Sequence, residues 1–139
     1  MEGNDYQSAE GGQKVRNKII KAISQKLKAI HPGAVIYLDS VMQSDKDLYF
    51  VLSVDPGGTE NVGINVQNES YLVDIALVDN KGDKSLANSI VSQCGAFFNV
   101  LLLDGQVVQP EDYLPEETDG VWHVRFTVAF PQYIEWSEE

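Results

Sequence analysis

The spacing of apolar residues divides the chain into a helix, several strands, a second helix and further strands. Between Lys14 and Ile30, Val15, Ile19, Ile20, Ile23, Leu27 and Ile30 recur three and four positions apart, the period that gathers side chains on one side of an α-helix. At about 100° per residue they fill a stripe roughly 140° wide. Lys14, Lys18, Lys21 and Lys28 fall within roughly 80° on the opposite side by the same arithmetic. Arg16 and Lys26 land inside the apolar stripe, where long stems can carry charged heads outward. The pattern predicts a helix over about Gln13–Ile30 that stops at His31-Pro32-Gly33. Pro32 lacks an N–H and disfavours helical geometry at His31, and glycine is the usual residue just past a helix end. A strand over Ala34–Asp39 follows, and Val41–Asp45 reads as a turn or irregular link.

Later segments show a period of two. Leu48–Val54 is nearly all apolar, which suits a strand covered on both faces. Asp55-Pro56-Gly57-Gly58 has the chemistry of a turn. Asn61–Val66 alternates weakly and reads as the start of the next strand or a short edge. In Tyr71–Val78, Tyr71, Val73, Ile75 and Leu77 share one face, and Leu72, Asp74, Ala76 and Val78 the other. Asp79-Asn80-Lys81-Gly82 is the turn that follows. Val121–Phe130 alternates most clearly: Trp122, Val124, Phe126, Val128 and Phe130 face one way, and Val121, His123, Arg125, Thr127 and Ala129 the other, with Pro131 as its expected end.

The second helical pattern spans about Asp83–Leu102, capped by Asp83 or Ser85. Leu86, Ile90, Val91, Cys94, Phe97, Phe98 and Leu101 form its apolar stripe. Ser85, Asn88, Ser89, Ser92, Ala96 and Asn99 line the other side, and no charged residue occurs from Ser85 to Leu103. Solvated helix faces usually carry Glu and Lys. A small, uncharged face suits close approach of another surface, either a subunit or another part of the same chain. Gly95 costs about 1 kcal/mol against Ala in a helix, which close packing would offset. Asp104-Gly105 then turns into a short strand, Gln106–Gln109. Pro110–Asp119 is acidic and broken by proline, and reads as a loop.

The order predicts an α+β fold, a mostly antiparallel sheet packed by two amphipathic helices. One domain would cover residues 14–131, with a disordered segment 1–13 and an acidic tail 132–139. A chain of 139 residues is long enough for one sizeable core. No apolar run reaches the roughly 18 residues of a membrane span, and residues 1–13 lack the apolar stretch of a secretory signal.

Charge changes the picture more than composition does. The net charge is −11, yet residues 14–28 hold six of the ten basic residues. After His31 there are four basic residues against eighteen acids, a balance of −14. Such a body repels nucleic-acid phosphates, and no aromatic residues are interleaved with the helix lysines, so stable nucleic-acid binding is not expected. The lysine face is a solvated surface or attracts something acidic, including another copy of this chain.

Catalytic and cofactor signatures are missing. His31 and His123 are far apart, and the single Cys94 allows no internal disulfide or thiol metal site. There is no phosphate-cradling glycine loop, no HExxH and no GxSxG. Asp45 and Asp47 lack the glycine and distal glutamate of a calcium loop and read as a turn. Asn68-Glu69-Ser70 matches a glycosylation acceptor only formally. An enzyme, a bound metal and a cofactor are therefore not expected.

Three stretches resemble one family. They are IIKAISQKLKAIHPGAVIYLDSVMQ, then LYFVLSV, then DGVWHVRFTVAF. In order, over about Val15 to Phe130, they are similar to small tail terminator (tail completion) proteins of phages of Gram-positive hosts and of phage-like tail particles. The segment GINVQNES departs from the basic, Arg-containing one found there in the family. The resemblance implies a virion tail protein, assembled in the host cytoplasm, that forms a ring, typically a hexamer. That ring caps the tail tube, ends its polymerisation and offers a head-joining surface. The implied partners are other copies, the tube protein, and a sheath or head-completion protein; no membrane is implied. The residues for such contacts would be Lys14, Lys18, Lys21 and Lys28 on the first helix and Ser85, Asn88, Ser89, Ser92 and Asn99 on the second. The acidic composition also fits an alternative, an adaptor or inhibitor domain that binds a basic host protein.

Overall fold

The apolar stripe of the first helix becomes the largest single contribution to the core. The computed structural model describes residues 3–39, 44–61, 63–64 and 66–133. Helix α1 runs Gly3–Ile30, so it starts ten residues ahead of the expected Gln13. Once a helix is anchored, each further residue adds a hydrogen bond without a new nucleation cost, so the helix propagates outward from its buried stripe. Val15, Ile19, Ile23, Leu27 and Ile30 are buried as the spacing requires, together with Ala22. The expected stop is in place: the His31 N–H still reaches Leu27 O at 2.9 Å, and Gly33 takes the left-handed φ of +85°.

Five strands form the main sheet in the order β1-β2-β3-β7-β6, where β1 is Ile36–Leu38, β2 Leu48–Asn61, β3 Val66–Asp79, β6 Glu111–Thr118 and β7 Val121–Tyr133. All pairings are antiparallel except β1 with β2, which is parallel, with Ile36 opposite Phe50. Asn80 braces the returning chain between these strands, its side-chain amide donating to Lys46 O at 2.6 Å and Ser44 O at 3.1 Å. Lys81 adds an ion pair to Asp47 at 3.3 Å. Part of the predicted link over Val41–Asp45, residues 41–43, lies outside the described residues, as does the acidic tail beyond Tyr133.

Three segments differ from the reading of their turn residues. Asp55-Pro56-Gly57-Gly58 is not a turn. Strand β2 continues through it to Asn61, with a bulge between Pro56 and Gly58. A Cβ at Gly57 would lie 3.2 Å from Leu72 Cγ, and Gly58 sits at φ +130°, so glycine serves the bulge and not a reversal. The reversal lies between Asn61 and Val66. Pro110–Asp119 is likewise no loop: Glu111–Thr118 forms β6, an edge strand with its own bulge between Glu111 and Leu114. Pro115 is tolerated because only one side of an edge strand is hydrogen-bonded. Strand β7 passes Pro131 for the same reason, since beyond Thr127 it has no β6 partner.

Helix α2 is Lys84–Phe97, shorter than predicted. Asp83 caps it by accepting from the Leu86 N–H at 3.1 Å, and the Phe98 N–H closes the last turn on Cys94 O. Leu101 therefore leaves the helix stripe and joins β4 (Leu101–Leu103), which pairs with β5 (Gln106–Val108) in a separate two-stranded ribbon. The two helices and this ribbon cover one side of the sheet. Phe50, Leu52, Val54, Val73, Ile75, Val124, Phe126 and Val128 meet Ile19, Leu27, Ile90, Leu101 and Leu103 in one apolar cluster. Among the described residues, no charged side chain is buried in it.

Candidate assembly surfaces

Arg16, which blurred the helix pattern, has a structural task. Its Nε donates to Val54 O at 2.8 Å and its Nη2 to Asp39 Oδ1 at 2.7 Å. The guanidinium thus ties α1 to β2 and to the end of β1. The lysines are divided. Lys14, Lys21 and Lys28 are exposed along α1. Lys18 is half-buried and pairs with Asp104 of the β4–β5 turn at 2.7 Å. Among the described residues, no ion pair engages Lys14, Lys21, Lys26 or Lys28.

Between α1 and the β4–β5 ribbon runs a shallow groove made of two adjoining hollows. One, of about 290 Å³, is lined by Ala22, Gln25, Lys26, Ala29, Phe97 and Leu102. The other, of about 210 Å³, adds Lys18, Lys21 and the Asp104-Gly105 turn. Leu102 and Val107 stand directly opposite each other on the ribbon and are 61% and 66% exposed, with Phe97 and Val100 also partly in solvent. The spacing of residues could not reveal this patch, because Leu102 reads there as the last helical residue. Isolated exposed leucines are ordinary; neighbouring exposed apolar side chains are less so.

On α2, Ser85, Asn88, Ser89, Ser92 and Ala96 are exposed, and Asn99 lies in the turn past the helix end, also exposed. Ser89 Oγ accepts from the Gln93 side chain at 3.3 Å. Asn88 borders a hollow of about 300 Å³ that it shares with Lys84, Glu117 and Trp122. Gly95 faces the protein instead, where a Cβ would stand 3.6 Å from Tyr113 Oη. Tyr113 of β6 stacks on Phe126 at 6.4 Å between ring centres, and its hydroxyl is buried with no hydrogen-bond partner. Burial pushes the Cys94 thiol up to about 12. The Tyr113 hydroxyl also rises to about 12, through burial first and the neighbouring Cys94 second. Cys94 is thus a packed, protonated thiol and no nucleophile.

The far side of the sheet carries a polar network that becomes visible only once β3, β7 and β6 are placed side by side. Asp74 accepts a hydrogen bond from His123 Nδ1 at 2.9 Å and another from Arg125 Nε at 3.1 Å. Arg125 Nη1 continues to Glu116 Oε1 at 3.0 Å. Leu72 and Leu114 flank this chain of charges and are 51% and 53% exposed. A shallow depression of about 320 Å³ lies against it, lined by Asp55, Leu72, Asp112, Arg125 and Thr127 among others. At one end Tyr37 and Tyr49 meet edge to face at 5.5 Å.

Among the described residues, no three His, Cys, Asp or Glu side chains gather as a metal site, and no helix is long and apolar enough to cross a membrane. What the fold presents is a small α+β subunit with a sealed core and open, chemically distinct faces, the class of a structural assembly protein. A sequence profile of the family described as phage tail terminator protein matches residues 18–139, and the chain belongs to that family. It is a family of structural proteins of the phage tail. No curated protein matches. One solved structure shares the fold at a TM-score of 0.51 and 18% identity, covering 91% of this chain and 98% of that chain.

Proposed function

We propose that this protein ends the growth of the phage tail tube by forming a ring on its last layer, and that the ring's outer surface receives the head or a head-completion protein. The observation that carries the reading is membership of the tail terminator family over residues 18–139. Two surface features support it. The uncharged α2 face of Ser85, Asn88, Ser89 and Ser92, with Asn99 beside it, is open in the single subunit, as are Lys14, Lys21 and Lys28 of the lysine face, while Lys18 is paired with Asp104. A ring that also meets a tube and a head needs several open surfaces per subunit, two of them unlike ones for the neighbouring copies. The acidic remainder of the chain suits a conduit for DNA, since carboxylates repel phosphates. A hexamer on the tube, with a sheath or head-completion protein as the next partner, is the assembly we expect, formed in the host cytoplasm and carried in the virion tail.

The test is tube growth. Purified tube protein is polymerised with and without this protein, and lengths are measured in negative-stain images. Capping predicts shorter tubes of arrested length with added density at one end. Tubes that grow alike in both samples, at low and moderate salt, would overturn the reading.

A further inference from the structure

Two surfaces of this chain carry exposed aliphatic side chains and charges of opposite sign. The first is the groove between α1 and the β4–β5 ribbon, where Leu102 shares its hollows with Lys21 and Lys26 and exposed Val107 stands opposite it on the ribbon. The second is the far face of the sheet. There Asp55, Leu72, Thr127 and Glu111 stand in one register row across β2, β3, β7 and β6. Leu114 follows in the next row, opposite Arg125. Leu72 and Leu114 here stand on either side of Thr127 and the Asp74–Arg125 pair, and Asp55 and Glu111 lie at the two flanks, so the face is net acidic. A surface of exposed aliphatic side chains with lysines at its rim fits a partner that carries exposed aliphatic side chains and an excess of carboxylates.

Within one chain the two patches cannot meet, because the groove belongs to the helix side of the sheet and the Leu72–Leu114 patch to the opposite side. We infer that the Leu72–Leu114 face of one copy seats on the α1–ribbon groove of the next copy, with Asp55 and Glu111 against Lys21 and Lys26. Such a contact joins unlike surfaces and so repeats head to tail, giving a ring where the rotation between copies closes. The inference rests on the ring reading above and names the surfaces that would make it. Lys18 is held back by its pair with Asp104, so Lys21 and Lys26 carry the attraction. The free edge of β6 lies beside the contact and is shielded by it, which also meets the hazard of an unpaired strand edge.

The experiment pairs two charge reversals. Lys21→Glu with Lys26→Glu makes the groove acidic, and Asp55→Lys with Glu111→Lys makes the opposing face basic. Each variant alone is expected to lose self-association by about tenfold or more in apparent affinity. A one-to-one mixture restores it, because alternating copies regain opposite charges at every contact. Zero-length carbodiimide cross-linking of wild-type protein, half of it isotope-labelled, gives a second readout that needs no variant. Mixed-isotope links from Lys21 or Lys26 to Asp55 or Glu111 are expected, in solution or on tubes. Variants that associate like wild type would overturn the inference, and so would the lack of these cross-links in both settings. If tubes are still capped under either result, the proposed function stands while this contact falls. If the cross-links form and tubes are not shortened, the contact stands and capping falls.

Discussion

The two sides of the five-stranded sheet use the same strands for opposite purposes. Leu52, Val73, Ile75, Val124 and Phe126 point toward the helices and are almost wholly buried, with no charge among them. One residue along each strand, the side chains turn over and become Ser53, Leu72, Asp74, His123 and Arg125, partly in solvent, with Asp74 hydrogen-bonded to His123 and ion-paired with Arg125. The helix side holds the subunit together by apolar burial, which is non-directional and tolerates no charge. The open side buries less apolar surface and keeps its polar groups paired with one another. Substitutions on the two sides should therefore differ in their cost to folding.

The largest expected contrast comes from truncating one leucine on each side. Leu52→Ala removes a fully buried side chain and should cost about 2–5 kcal/mol. Leu72→Ala, on the open side of the neighbouring strand, should stay within about 0.5 kcal/mol. Urea denaturation of the two variants compares them directly, and equal losses would break the distinction between the faces.

Alkali probes the buried side without a substitution. Cys94 lies against Tyr113 under α2, and burial raises both to about 12 from ordinary values of 9.0 and 10.0. Tyr71 rises to about 12 as well, through burial first and its hydrogen bond to Glu69 second. In the unfolded chain these groups lose their protons earlier, so the folded form holds more protons across that range and stability falls as pH rises. The loss should begin near pH 9 and grow to the order of a few kcal/mol by pH 12. Melting temperatures across this range measure it. Cys94→Ala should delay the onset to about pH 10, where the tyrosines take over.

Arg16→Ala removes the clamp between α1 and β2. Hydrogen bonds from a charged donor in a partly buried place are worth about 1–3 kcal/mol, and we expect a loss in that range. Asp39→Ala should cost less, because the bond from Arg16 to Val54 O survives. The smallest effect has the opposite sign. Gly95→Ala places a Cβ at ordinary contact distance from Tyr113 Oη and should stabilise α2 by up to about 1 kcal/mol. Differential scanning calorimetry reads both.

Periodicity carried most of the fold. The buried faces of β3 and β7, the α1 stripe and its stop at Pro32-Gly33 follow from spacing and from proline and glycine chemistry alone. The misread segments share one physical cause. Proline and glycine signal a turn only when the strand around them must hydrogen-bond on both sides, and Pro56-Gly57-Gly58, Pro115 and Pro131 sit at bulges or edges where it need not. The early end of α2 was hidden because Leu101 to Leu103 continue an apolar run that suits a buried helix and a buried ribbon equally. The lysine face and the uncharged α2 face were legible as surfaces, since both depend on local helix geometry. The pairing of Lys18 with Asp104, the Arg16 clamp, the Asp74–His123–Arg125–Glu116 network and the groove around Leu102 were not. Each joins residues distant in sequence, and their meeting depends on strand order, which no local pattern encodes.

The most direct measurement is an electron cryo-microscopy reconstruction of this protein on the end of its tail tube. The account predicts a closed ring in which Leu102 and Val107 of each copy are covered by the Leu72–Leu114 face of its neighbour, with Lys21 and Lys26 beside carboxylates. Single subunits scattered on the tube, or a ring that leaves that groove open to solvent, would contradict it.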